Sequence, residues 1–338
     1  MNDGRYSRQE LFTPIGKKGQ QSIEQKHAII IGAGALGSSM AETLVRAGVG
    51  AVSIVDRDYV EHSNLNRQQL YTEWDAENST AKAAAAEARL RDINRHAEIK
   101  AVVGEVDPAL LESFLPADII IDALDNFETR MLVNDFACRH QIPFIYGACV
   151  GSYGLTYTIL PGDTPCLHCL MEDIPMDGET CDTAGIIAPA VQMVSAHQAA
   201  EALKLLSGNE KDLRRTLLSF DVWKNEHRTM HLDKLKKQDC TSCGTKADYP
   251  YLQWESRSSL ETLCGRDAVQ IRPAKTAEAS LDRLKAQHER LIRKSNPHLL
   301  VLEWEEKRIV LFADGRAIIH GETDKVNARK IYHQIVGG

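Results

Sequence analysis

His27-Ala-Ile-Ile-Ile-Gly-Ala-Gly-Ala-Leu-Gly37, followed by Ala51-Val-Ser-Ile-Val-Asp56 and by Asp58-Tyr-Val-Glu-His-Ser-Asn-Leu-Asn-Arg-Gln68, decides the fold. His27–Ile31 reads as a buried strand, Gly32 to Gly37 as the turn into a helix, and the run from Ala51 as the next strand, closed by Asp56. That is the opening of a doubly wound, nucleotide-binding sheet. Gly32, Gly34 and Gly37 permit a tight turn and close backbone approach. The helix N-terminus beyond them offers unpaired N–H groups to phosphate, and Asp56 can accept bonds from ribose hydroxyls. These features alone fit a dehydrogenase equally well. Arg67 departs from that reading, because it carries a cation back towards the phosphate end, where hydride transfer has no use for it and a triphosphate does.

Working outward, residues 79–94 are strongly helical in propensity, with alanine at 81, 83–86 and 88 and a capping Ser79 or Thr80. Lys82 sits in the first turn, where the helix dipole disfavours a cation; an anionic ligand nearby would explain it, and so would simple solvation. Residues 98–103 and 118–122 supply two further buried strands around a short helix at 107–115. This βαβ alternation predicts a parallel sheet. Residues 123–130 end a strand and open a helix running to about 140, which puts Asp125 and Asn126 beyond a strand's carboxyl end, where ligands gather. Asp125 there suits either Mg²⁺ or a helix N-cap. After a strand at 142–146, the glycines at 147, 151 and 154 and the alternation over 155–160 predict antiparallel strands extending the sheet. The expected class is therefore α/β, a Rossmann-like doubly wound sheet, mostly parallel with an antiparallel extension.

With 338 residues the chain suits one large α/β domain plus appendages. A net charge of −7 without any dense Lys/Arg run argues against nucleic acid or an anionic membrane as partner. The polar start from Asn2 and the absence of a long apolar run predict a cytoplasmic protein. In that compartment eight cysteines point to metal binding or thiol chemistry rather than disulfides. Cys166-Leu-His-Cys169 and Cys240-Thr-Ser-Cys243 are two C-x-x-C knuckles, and four thiolates suit a closed tetrahedral Zn²⁺ site that clips the C-terminal region to the main domain. Redox dithiols are the rival reading, and His168 reads as a spacer. Cys138 and Cys149 read as core residues. Cys181 differs: it stands in polar Glu179-Thr-Cys-Asp-Thr183, just before a helix expected to run to about 206, where the dipole can stabilise a thiolate. A nucleophile and an idle loop cysteine both fit it.

Taken together, these residues resemble the MoeB/ThiF adenylyltransferases, bacterial relatives of the ubiquitin-activating enzymes. The resemblance spans about residues 5–243. It rests on Arg5-Tyr-Ser-Arg-Gln9, the glycine loop, Asp56, Ser63-Asn-Leu-Asn-Arg-Gln68, Lys82, Asp125-Asn126 with Thr129-Arg130, both knuckles and Thr180-Cys181. Asn66 departs from the pattern, which has glutamine there. The resemblance implies ATP-dependent adenylation of the C-terminal Gly-Gly carboxylate of a ubiquitin-like sulfur carrier, by a homodimer, for thiamine or molybdopterin biosynthesis. It also implies that Asp56 holds the ribose and that Asn64, Gln68 and Asn126 help to bind ATP. Arg67 and Lys82 would neutralise the phosphates, Asp125 would bind Mg²⁺, and Arg8 would reach across the dimer into the neighbouring site. Cys181 would take part in sulfur transfer in those members that need it.

Beyond Gly244 the pattern predicts a small α+β domain: strands at 268–273, 299–304, 308–312 and 317–320, and helices at 278–293 and 324–336. The expected organisation is an arm at 1–26, an adenylation domain with the zinc site at 27–247, and a C-terminal domain at 265–338. The terminal Gly337-Gly338 matches the dipeptide a carrier presents, yet it directly follows helical sequence, where glycine is an ordinary terminator. Two rivals differ in class. A nicotinamide-dependent oxidoreductase would leave Arg67, Lys82 and Asp125 unemployed, and a non-enzymatic scaffold would bind its partner without the nucleotide residues.

Overall fold

The computed structural model describes residues 4–171, 184–253, 259–263, 267–272 and 281–336, with 259–263 as backbone alone. The chain divides into two compact units, Met1–Glu77 with Lys82–Trp254, and Asn78–Ala81 with Glu255–Gly338. In chain order the first holds α1 (Ser7–Glu10), α2 (Gly16–Ile23), β1 (His27–Ile31), α3 (Ala35–Ala47), β2 (Ala51–Asp56), α4 (Glu73–Glu77), α5 (Lys82–Ile93), β3 (Glu98–Val103) and α6 (Pro108–Glu112). It continues with β4 (Ile119–Asp122), α7 (Phe127–His140), β5 (Phe144–Val150), β6 (Tyr153–Ile159), α8 (Leu167–Met171), α9 (Ala188–Leu206), β7 (Thr216–Asp221) and β8 (Glu226–His231).

The eight strands form one sheet in the order β3-β2-β1-β4-β5-β6-β7-β8. Pairing is parallel from β3 to β5 and antiparallel from β5 to β8. Strand β1 is central and β-branched, as a strand buried on both faces requires. Its side chains alternate between two cores: Ala28 and Ile30 pack with α3, α5 and α9, whereas Ile29 and Ile31 pack with α7 and the cysteine knuckles. At roughly 1.5–3 kcal/mol for each fully buried aliphatic side chain, this one strand ties both helical layers to the sheet. The strands β7 and β8, which the sequence reading leaves unassigned, complete the antiparallel extension. All six residues of β8 are exposed.

In the second unit, β9 (Ser259–Leu263), β10 (Ala268–Arg272), β11 (Ile292–Ser295), β12 (Leu299–Trp304), β13 (Lys307–Phe312) and β14 (Ala317–His320) form an antiparallel sheet in the order β11-β12-β13-β14-β10-β9. Helices α10 (Leu281–Gln287) and α11 (Lys325–Val336) contribute Leu284, Ala328, Ile331 and Ile335 to its core. The helix expected at 278–293 is corrected: among the described residues it ends at Gln287, and Ile292–Ser295 is a strand paired with β12. Alternation of apolar Ile292 with polar Arg293 fits an edge strand, and this period overrides the helical propensity of the flanking sequence.

No helix among the described residues is long and apolar enough to cross a membrane. The helix after the glycine loop depends on Gly37, where an added Cβ would lie 1.9 Å from the Gly32 carbonyl oxygen and 3.2 Å from the Ala123 side chain. Gly37→Ala is therefore expected to destabilise the first unit by roughly 2–3 kcal/mol, read as a lower urea midpoint; an unchanged midpoint would contradict this packing.

Candidate functional site

The glycine loop joins β1 to α3, and its geometry is set by backbone contact. Gly32 has φ +99°, and a Cβ there would meet the Ala123 carbonyl oxygen at 2.5 Å. Glycine is the residue that adopts this conformation without strain. Helix α3 starts at Gly34 with no side-chain cap, so its first N–H groups remain available to an anion. The Tyr71 hydroxyl donates to the Ala33 carbonyl at 2.6 Å and fixes the loop from the side. Buried Gln68 lies beside Gly34, and its Oε1 has no hydrogen-bond partner among the described residues. A buried acceptor of this kind calls for a donor from elsewhere.

Asp56, at the end of β2, accepts the Ala33 N–H at 2.6 Å through Oδ2 and the Asp58 N–H at 2.7 Å through Oδ1. A carboxylate has about four lone-pair sites, so each oxygen keeps capacity for a ligand hydroxyl. Burial raises the Asp56 carboxyl above its usual range, Lys82 pulls it back, and Asp58 pushes it up further. Lys82 opens α5, is buried, and pairs with Asp58 Oδ2 at 3.4 Å; its backbone N–H also donates to the Asp58 carbonyl at 2.9 Å. The anion that the sequence reading asks for beside this lysine is, within the chain, Asp58. An unbroken series of contacts thus runs from the glycine loop through Asp56 and Asp58 to Lys82.

The loop 61–68 is self-supporting. Asn64 is buried and its side chain accepts the Glu61 N–H at 3.1 Å, closing a capping box. Arg67 is turned onto its own loop, donating to the Ser63 carbonyl at 2.8 Å and to Asn66 Oδ1 at 3.0 Å. Asn66, the one departure from the family pattern, therefore engages the arginine directly.

Beyond β4 the chain passes Ala123, in contact with Gly32, to exposed Asp125 and then to α7. Asn126 caps that helix, accepting the Thr129 N–H at 3.0 Å; within the chain this is its role. Beneath the loop Arg130 Nε donates to Asp122 Oδ2 at 2.9 Å, and Nη2 reaches the carbonyls of Leu124 at 2.5 Å and Gly147 at 3.2 Å. Burial raises the Asp122 carboxyl, and Arg130 opposes that rise. From α9, Gln198 Nε2 donates to the carbonyls of Asp122 at 2.9 Å and Ile145 at 3.1 Å. Gly147 makes room for this side chain, since a Cβ there would lie 2.4 Å from Gln198 Nε2.

Arg8 is not brought to this cluster in its own chain. The arm is pinned by Gln9 Nε2 to the Ala47 carbonyl at 2.9 Å and by Arg5 Nη1 to the Ile93 carbonyl at 2.9 Å, at the C-terminal ends of α3 and α5. Arg8 is exposed at that end, so α3's 13 residues, about 20 Å of helix, separate it from the glycine loop. Cys181 lies outside the described residues, as do Gly337 and Gly338.

The two knuckles do converge. Cys166, Cys169, Cys240 and Cys243 place their sulfurs within 4.8 Å of one another, with Sγ···Sγ distances of 4.0, 3.7 and 3.5 Å for the 166–169, 166–240 and 169–243 pairs. A tetrahedron of sulfurs about 2.3 Å from a central ion has edges of about 3.8 Å. The sequence assigned His168 as a spacer; its Nδ1 in fact lies 3.2 Å from Ser242 Oγ and 3.3 Å from Thr241 Oγ1, linking one knuckle to the other. Crowded thiols share protons unequally. The hydrogen bond with Cys166 is the main influence holding Cys169 down at about 6, and Cys166 itself is pushed up, first by Cys138 and then by its three companions.

Sequence reasoning missed Tyr71, Asp58 as the partner of Lys82, and the Asp122–Arg130–Gln198 network. Asp58 was findable as the second acid of Asp56-Arg-Asp58; Tyr71 and Gln198 leave no trace in periodicity.

Comparison with known proteins adds four findings. The ThiF family model matches residues 6–242. The chain is 53% identical, over 99% of both sequences, to the sulfur carrier protein ThiS adenylyltransferase of Bacillus subtilis. It is 36% identical to the sulfur carrier protein adenylyltransferase of Thermus thermophilus, over 71% of this chain and 90% of that one. Among solved structures, E. coli MccB with ATP shares the fold, with a TM-score of 0.61 and 22% identity over 72% of this chain and 75% of that one.

Removing one partner of a buried ion pair strands the other charge. Arg130→Met is expected to cost about 3–5 kcal/mol by chemical denaturation, and adding Asp122→Asn should recover part of it; strict additivity would show that the pair is not coupled.

Proposed function

The chain belongs to the ThiF family, and from that premise we propose that it transfers AMP from ATP to the C-terminal carboxylate of a ubiquitin-like sulfur carrier of the ThiS kind, releasing pyrophosphate. The full-length likeness to a ThiS adenylyltransferase supports the thiamine branch over the molybdopterin one. The observation that carries the nucleotide assignment is the run of contacts from the glycine loop through Asp56 and Asp58 to Lys82, beside the unsatisfied oxygen of Gln68.

A terminal carboxylate is already ionised at neutral pH, so its attack on the α-phosphorus needs no general base. What remains is alignment and charge stabilisation. Asp56 orients the ribose, and the N-terminus of α3 with the glycine-loop N–H groups receives phosphate oxygens. Lys82, shared with Asp58, and Arg67, released from Ser63 and Asn66, offset the charge of the departing pyrophosphate. Gln68 completes the cradle, while Asn64 and Asn126 hold the loops that carry Arg67 and Asp125. Asp125 supplies the hard oxygen donor that suits Mg²⁺, which when bound neutralises triphosphate charge. Arg8 serves the site of a second copy in a homodimer, consistent with its distance from the site in its own chain. Cys181 is kept as the candidate nucleophile of a later sulfur-transfer step. The four cysteines hold Zn²⁺ in a closed, structural site, since no coordination position is left for water. A nicotinamide-dependent reading gives the buried Lys82 no role beyond its pair with Asp58.

The test is exchange of labelled pyrophosphate into ATP. Arg67→Ala and Asp125→Ala should each lower exchange by at least about a hundredfold with unchanged folding, and near-normal exchange in both would overturn the assignment. Elemental analysis of chain purified without chelators should find about one zinc per chain; a zinc-free preparation would refute the metal reading. Cys181→Ala should keep pyrophosphate exchange, and full sulfur transfer by that variant would remove Cys181 from the mechanism.

A further inference from the structure

Helix α7 carries two adjacent polar side chains, Asn134 and Asp135, both with 0% exposure, amid apolar Met131, Leu132, Val133, Phe136 and Ala137. Burying an amide or a carboxylate in such surroundings costs several kcal/mol unless it is hydrogen-bonded. One oxygen of each is bonded to a knuckle or its flank, while Asn134 Nδ2 and Asp135 Oδ1 have no partner among the described residues. Asn134 Oδ1 accepts the N–H of Leu167, next to Cys166, at 2.8 Å. Asp135 Oδ2 accepts the Tyr251 N–H at 2.9 Å, eight residues beyond Cys243, and Ser242, which stands between Cys240 and Cys243, is near enough to favour its charged form. The knuckles are 74 residues apart in sequence, so their sulfurs meet only if something common holds both. The His168 contacts to Thr241 and Ser242 close the link from the other side.

We propose that Asn134 and Asp135 are positioning residues that hold the two knuckles in register, so that four thiolates meet one tetrahedral cation. The proposal rests on the metal reading of the cysteine cluster. It assigns the selection of these two polar groups to the outer shell of that site, the layer that orients the ligands without touching the ion. Apolar residues of similar size would fill the same volume without the desolvation cost, but they would leave the Leu167 and Tyr251 N–H groups without these acceptors.

The experiment uses the full chain loaded with zinc, and in parallel with cobalt. Asn134→Leu and Asp135→Leu should each release zinc to the chromophoric chelator 4-(2-pyridylazo)resorcinol at least about tenfold faster than the parent. In the cobalt form they should weaken or shift the visible band of a tetrahedral tetrathiolate site, a change that a general loss of stability would not produce. Should the leucine variants fail to fold, Asn134→Ala and Asp135→Ala, which remove the acceptor oxygens without adding bulk, carry the same two readouts. Release rates and cobalt spectra matching the parent in folded variants would overturn the proposal. A parent chain that takes up neither metal would instead overturn the metal reading on which it stands.

Discussion

The close approach of three backbone segments, at Gly32, Gly37 and Ala123, is the constraint from which the rest of the site follows. Because Gly37 has no Cβ, the first turn of α3 settles against the Gly32 carbonyl; because Gly32 has none, the Ala123 carbonyl can sit beside it. The first contact aims a helix N-terminus across the end of β1. The second fixes where the chain leaves β4, and so where Asp125 emerges. One steric condition thus places both the anion-binding end of α3 and the loop bearing the candidate acid, before any side-chain chemistry is considered.

Electrostatics then refines this frame. The Asp122–Arg130 pair is buried, and its Coulombic gain is largely offset by the desolvation of both charges. Its net worth to stability is therefore small while both partners are present. What it does is geometric: the guanidinium ties the carbonyls of Leu124 and Gly147 together, and Gln198 ties the ends of β4 and β5 from the other face. Arg130 and Gln198 hold the floor under the exposed loop, which leaves Asp125 itself free of structural duty to its own helix, since Asn126 does the capping.

The parallel half of the fold was legible because its signals are local and periodic: a β-branched run at His27–Ile31, glycines at the turn, alanines after Lys82. The strand at Glu226–His231 was not, because five of its six residues are polar and Met230 alone gives no alternation to detect. The strand at Ile292–Ser295 was hidden by helix-favouring neighbours, and pairing with Leu300 and Leu302 decided it. At the site, the acids and cations could be named, but not their partners. That Lys82 answers to Asp58, and that Arg67 folds back on Ser63, are facts of tertiary packing that spacing does not encode. The cysteine quartet was readable because C-x-x-C fixes local geometry, whereas Asn134 and Asp135 looked like any polar pair in a helix.

Among the described residues β8 is the sheet's last strand and is exposed throughout, and an open strand edge offers backbone groups to a passing chain. Glu226, His227, Arg228 and His231 line that strand, and paired Arg228 and Glu226 bring charges of both signs to its beginning. A foreign strand docking there would have to strip water from these groups and match their alternating sign, which the flat, apolar segments that seed fibrils do not do. The polarity that concealed β8 from periodicity is thus the same property that disfavours strand addition at this edge, Met230 being its one apolar residue.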